Sequence, residues 1–240
     1  MTKLDILVLA VHPDDAELGC AGTILKHIAQ GYKVGVVDLT RGELGTRGSA
    51  EIRDKEAAAA SEILGLTIRE NLGMPDGFFA NTREYQLQII EVIRKYQPEI
   101  VIGNAYHDRH PDHGRANQLI EDASFLAGLR KIETTLDGEI QQEWRPKQVM
   151  HFIQDRYIKP DIIIDVTEYW DQKIASLYAY GSQFHNPEWE NEPQTYISSP
   201  EFIQVTEARA REFGKSIGAR FAEGFTSRKL LGVESLFDLV

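Results

Sequence analysis

The chain has 240 residues, 42% of them hydrophobic, and its 26 Lys and Arg against 37 Asp and Glu leave a formal net charge of −11. That length fits one α/β domain spanning 1–240 with a sizeable core, and the acidic balance argues against nucleic acid or an anionic membrane as partner, because both reward positive patches. A single cysteine, Cys20, excludes an internal disulfide; with no secretion-type apolar run in 1–10 and no stretch near the roughly 20 apolar residues of a membrane span, a cytoplasmic location is expected.

Leu4 to Val11 is apolar except for Asp5, which predicts a buried strand of a parallel sheet. Ala16 to Gln30 follows as a helix stopped by Gly31, then Val34 to Leu39 as a second strand. Thr40 to Ser49 is a glycine- and arginine-rich loop with Ser49 placed to cap the alanine-rich helix Ala50 to Leu64, which Gly65 ends. Thr67 to Leu72 reads as a strand, Gly73 to Asn81 as a loop, Thr82 to Tyr96 as a helix and Glu99 to Gly103 as a buried strand. Asn104 to Gly114 is a polar loop, and a helix follows to about Leu129. This alternation predicts a Rossmann-like, mostly parallel sheet with helices on both faces. Strands at Lys147 to Ile153 and Asp161 to Val166 and helices at Glu168 to Tyr180 and Pro200 to Phe221 complete it, with His185 to Ser199 as an ordered loop or lid.

Two segments carry chemistry: His12-Pro13-Asp14-Asp15-Ala16-Glu17, and Asp108-Arg109-His110-Pro111-Asp112-His113. Each follows a predicted strand, and ligands of open parallel sheets bind beyond the carboxyl ends of strands. His12 and Asp15 are three apart, as are His110 and His113, a spacing that brings side chains to one side where a loop becomes a helix. Two imidazoles and a carboxylate are a common ligand set for catalytic zinc. Giving His12, Asp15 and His113 to the metal leaves Asp14, His110 and Asp112, a base and an acid of the kind hydrolysis needs. A lone His-Pro-Asp is ordinarily a turn with a helix cap. Two copies at two strand ends, in a chain with only seven His and nine Pro, outweigh that reading. Elsewhere, His27 reads as a surface residue, His107 as a neighbour of the site, His151 as a core residue and His185 as part of the lid.

These residues resemble the LmbE/PIG-L family of zinc-dependent N-acetylglucosaminyl deacetylases. The likeness extends through Thr40 to Ser49, Arg53 with Glu56, Gly181 to Phe184 and Ala222 to Phe225. It is similar in pattern to the branch acting on N-acetylglucosaminyl malate in bacillithiol biosynthesis. The resemblance implies a Rossmann-like fold and one zinc ion per chain held by His12, Asp15 and His113, a site that iron(II) or cobalt can also occupy. It implies Asp14 as general base and His110 as general acid or oxyanion partner, oriented by Asp112. A homo-oligomer, in that branch often a hexamer, is implied as well. Arg53 would contact the sugar, Asp76 would accept from sugar hydroxyls, and Arg109 and Arg47 could pair with malate carboxylates or be solvated charges or structural ion pairs. Mycothiol-type relatives carry a tyrosine where this chain has Asp108, so a tyrosine-assisted step is not implied, and Tyr106 is not assigned that role.

Other readings are a deacetylase of another N-acetyl sugar, such as a chitooligosaccharide, a nucleotide-binding Rossmann protein, and a metal-binding protein without turnover. The nucleotide reading lacks Gly-x-Gly-x-x-Gly in the first turn, where Asp14 and Asp15 would repel a pyrophosphate.

Overall fold

The first strand, β1 (Ile6–Ala10), sends Ile6, Val8 and Ala10 into one apolar cluster and Leu7 and Leu9 into another. This two-residue alternation makes β1 the middle of a sheet covered on both faces. The computed structural model describes residues 2–239; Met1 and Val240, at the limits of the expected 1–240 domain, lie outside the described residues. In chain order follow α1 (Asp15–Ala29), β2 (Val34–Asp38), α2 (Ala50–Leu64), β3 (Ile68–Asn71), α3 (Arg83–Tyr96), β4 (Ile100–Asn104) and α4 (Pro111–Ala127). Next come a hairpin, β5 (Thr135–Leu136) with β6 (Glu139–Ile140), then β7 (Gln148–Phe152), β8 (Ile162–Asp165), α5 (Trp170–Tyr178), α6 (Phe202–Lys215) and β9 (Ala222–Thr226). No helix among the described residues is long and apolar enough to cross a membrane.

The main sheet has seven strands in the order β3-β2-β1-β4-β7-β9-β8, parallel except where β9 runs antiparallel between β7 and β8. This is the mostly parallel α/β architecture the alternation predicts. Helices α1, α2 and α5 pack together, as do α3 and α4. After β1 the chain builds outward through β2 and β3, then returns to add β4 on the opposite side. That reversal opens a crevice at the carboxyl ends of β1 and β4, where both histidine segments emerge.

Local signals set most boundaries. Ser49 Oγ accepts from Ile52 N at 3.3 Å to cap α2, and Gly65, at φ 70°, ends it. Three expectations need correction. The 104–114 loop stops early, because His110 caps α4 and Pro111 takes its first position, where a missing N–H costs nothing. The last long helix ends at Lys215, and the following residues form β9 rather than more helix. The β5–β6 hairpin, which has no counterpart among the expected elements, turns on Asp137 and Gly138, both at positive φ.

Helix α1 is broken at Cys20 (φ −149°, ψ 18°), and β9 and α5 repair the break. Glu223 of β9 accepts from Gly22 N at 3.0 Å and Thr23 N at 2.7 Å, capping the second half. Lys173 of α5 donates to Leu18 O at 2.8 Å and to Glu223 Oε1 at 2.6 Å, closing the circuit over a fully buried ion pair. Glycine is required beside the break, since a Cβ at Gly19 would sit 2.1 Å from the Phe152 ring.

Candidate active site

A cavity of about 340 Å³ opens over the β1–β4 crevice, and His12, Asp14, Asp15, Asp76, His110 and His113 line its floor. His12 leaves the end of β1, Asp15 begins α1, and His110 and His113 stand on the first turn of α4. Asp15 Oδ2 lies 3.5 Å from His12 Nδ1 and 3.2 Å from His113 Nε2. The nitrogens of His12, His110 and His113 also converge within 4.8 Å, and His12, Asp76 and Asp112 form a second such group.

The hydrogen bonds behind these rings decide which atoms are free. His113 Nδ1 lies 2.7 Å from Asp108 Oδ2, while its Nε2 is buried and makes no hydrogen bond among the described residues, facing only Asp15 Oδ2. His12 Nε2 lies 2.9 Å from Asp76 Oδ1. A carboxylate on one ring nitrogen fixes the proton there and leaves the lone pair of the other free for a metal. Asp15 is held in turn: Oδ2 accepts from His12 N at 3.0 Å and from Asn104 Nδ2 at 3.1 Å, and Oδ1 from Gln154 Nε2 at 2.7 Å. The donor set of two imidazoles and a carboxylate, each with an outer partner, fits a divalent cation such as zinc.

The electrostatics agree. Burial opposes charge on His12, but Asp15 and Asp76 outweigh it and raise the ring to about 9. Burial likewise lowers His113, and Asp15 and Asp108 raise it to about 10. The floor thus demands positive charge, which a dication would supply while leaving the nitrogens that face it unprotonated.

Asp14 sits beside this cluster with φ 129°, a strained conformation for a residue with a Cβ. Burial pushes its carboxyl up to about 7, against the opposing pull of Arg53, whose Nη1 stands 3.5 Å away. Arg53 Nη1 also donates to Pro13 O at 2.8 Å, bracing the turn that carries Asp14. His110 is held below its ordinary value first by burial and then by the charge of His12 and His113. Its Nδ1 accepts from the Asp112 main-chain N at 3.3 Å, so a neutral ring carries its proton on Nε2.

Two expected contacts are placed differently. The Asp112 carboxylate does not reach His110: it accepts from Gly77 N at 2.8 Å and from Arg115, tying α4 to the 75–77 turn, while its main chain orients the ring. Asp76 already has a partner on each oxygen, His12 Nε2 at 2.9 Å and Leu44 N at 3.0 Å, so a sugar hydroxyl would have to use its remaining lone pairs. Arg109 lines the cavity over the Tyr196 ring, 5.0 Å from its centroid and 3.7 Å from Asp155. Arg47 is buried and donates to Trp189 O at 3.0 Å.

Other residues singled out in the sequence serve the frame. Glu17 pairs with Arg69, which also binds Asp38. Glu56 accepts from Ser182 N at 2.7 Å and Oγ at 2.8 Å, anchoring the 181–184 segment. His107 is exposed and meets Arg156 at 3.1 Å. His151 is buried between Asn104 O and Glu121, His27 is half-buried, and His185 does not line the cavity. The expected lid contributes Thr195, Tyr196 and Ile197. Asn104 and Gln154 stand in no sequence motif, and Asp108 is marked in the sequence only as a departure from the mycothiol-type pattern. Asp108 lies five residues before His113, a hint that becomes a contact only when the loop folds back.

Residues 7–124 match the family described as PIG-L, GlcNAc-PI de-N-acetylase. A diacetylchitobiose deacetylase of Thermococcus kodakarensis is 30% identical over 91% of this chain and 81% of its own length. A 4-oxalmesaconate hydratase of Pseudomonas putida is 26% identical over 90% of this chain and 88% of its own. Among solved structures, a conserved protein of Thermus thermophilus superposes with a TM-score of 0.84 at 38% identity, covering 96% of this chain and 98% of that one.

Proposed function

This chain belongs to the PIG-L family of metal-dependent deacetylases, hydrolases of N-acetyl amides, and we propose that it removes the acetyl group from an N-acetylglucosamine conjugate, N-acetylglucosaminyl malate first among them. The observation that carries the reading is the orphaned, buried Nε2 of His113, backed by Asp108 and facing Asp15 Oδ2 across 3.2 Å. His12 Nδ1, Asp15 and His113 Nε2 would hold the ion, with zinc suited to that donor set.

Zinc, when bound, acidifies water and polarises the acetyl carbonyl. Asp14, with its carboxyl raised by burial, takes the proton of the attacking water. His110 Nε2–H donates to the oxygen on which negative charge develops, and the amine leaves with a proton from His110 or Asp14. Asp112 keeps the His110 ring in that tautomer through its main-chain N–H. Asp76 and Asp108 hold His12 and His113, and Arg53 steadies the Asp14 turn.

A neutral chitooligosaccharide remains the second reading, favoured by the likeness to the Thermococcus enzyme. The test is amine release from N-acetylglucosaminyl malate, N,N′-diacetylchitobiose and methyl N-acetylglucosaminide by metal-loaded and chelated enzyme. Chelator-sensitive release from an N-acetylglucosaminide is expected. Amine release that survives complete metal removal, or hydration of an unsaturated acid with no amine release from any substrate, overturns the proposal.

A further inference from the structure

The cavity extends beyond the metal floor to a wall formed by α6. Phe202, Val205, Thr206 and Arg209 line it at spacings of three, four and seven, one face of the helix. The first two make the wall apolar, and Arg209 ends it with a guanidinium. Its Nη1 is buried without a hydrogen-bond partner, and Arg209 has no ion pair among the described residues.

The other arginines around this cavity are engaged. Arg53 binds Pro13 O and faces Asp14, Arg47 binds Trp189 O, and Arg109 lies on Tyr196 beside Asp155. Asp155 faces both Arg109 and the Tyr196 hydroxyl. The far wall therefore carries two guanidiniums, Arg109 and Arg209, against one carboxylate, while Asp14, Asp15 and Asp76 crowd the floor. A buried donor without a partner is costly, and solubility gives no reason for it in a chain of net charge −11.

We propose that Arg209, with Arg109, forms a subsite for a carboxylate on the aglycone side of the substrate, and that this subsite selects acidic conjugates over neutral oligosaccharides. The inference rests on the deacetylase reading and narrows its substrate class. Arginine presents a planar fork that matches a carboxylate, and its buried Nη1 is the donor left open. The separation of charge also sets direction. A carboxylate held by the wall arginines would leave the uncharged acetamide end of the substrate to reach Asp14 and His110 on the floor.

The experiment compares three N-acetylglucosaminides with the metal-loaded enzyme: one with a carboxylate aglycone, its methyl ester, and the methyl glycoside. Wild type is expected to prefer the carboxylate over its ester by about tenfold or more in kcat/KM. Arg209→Gln should shrink that ratio about tenfold, toward one and mainly through KM, and Arg209→Lys should restore part of it. Circular dichroism and melting check that each variant folds. A wild-type ratio near one, or a ratio unchanged in Arg209→Gln, overturns the subsite while leaving the deacetylase reading intact. Were none of the three hydrolysed, the deacetylase reading itself would fail. Calorimetric binding of the intact carboxylate glycoside would then decide the subsite: weaker in Arg209→Gln supports it, equal in both proteins overturns it.

Discussion

At the scale of single residues, the floor divides labour by what each side chain can still do once its hydrogen bonds are counted. His113 has one nitrogen held by Asp108 and one that makes no hydrogen bond among the described residues; Asp14 is paired with no hydrogen-bond donor among the described residues and is raised to about 7 by burial. Two variants should therefore separate binding from chemistry. Asp14→Asn is expected to keep its zinc by elemental analysis and to lose about 10²–10⁴ in kcat. Asp108→Asn removes the partner behind His113, the proposed ligand, and is expected to weaken zinc binding about 10–100-fold in chelator competition. If Asp14→Asn turned over at the wild-type rate, or Asp108→Asn bound zinc as tightly as wild type, the corresponding role would be wrong.

At the scale of elements, the broken helix α1 shows how the fold sustains an irregularity next to the site. The first half presents Asp15 and Glu17, and the second half needs its own cap, which Glu223 supplies from a strand about 200 residues away in sequence. Lys173 balances that carboxylate at 3% side-chain exposure. Removing one member of a buried pair strands the other, so Lys173→Met should destabilise the protein by about 3–5 kcal/mol. Urea unfolding measures it, and a loss under about 1 kcal/mol would show that the pair does not hold the break together. Helix α4 makes a related point. The His110-Pro111-Asp112 segment is both a helix cap and part of the candidate site, so the ordinary and functional readings of that tripeptide are compatible.

At the scale of the whole molecule, the order β3-β2-β1-β4 places two loops about 100 residues apart in sequence over one crevice. A ligand joining them should stabilise the native state by linkage, about 2.7 kcal/mol when its free concentration is about 100 times its dissociation constant. The metal-loaded protein should therefore melt several degrees above the chelated one, and re-addition of zinc should restore both melting and activity. Identical melting curves would mean that no ion bridges β1 and β4.

By itself the sequence determined the alternating α/β order, most boundaries of the first four strands and helices, and the two His-Pro-Asp segments, because these are written in local periodicity, caps and spacing. The tertiary structure decided what local pattern cannot encode. The Ala222–Thr226 strand is short, contains a glycine and a glutamate, and is a strand only because β7 and β8 leave a slot between them. Asp108 behind His113, Asp76 behind His12, the Asp112 carboxylate turned toward Gly77, and the open guanidinium of Arg209 depend on which donors remain unpaired once distant segments meet. Hydrogen-bond satisfaction is a property of the packed chain, so no one-dimensional reading contains it.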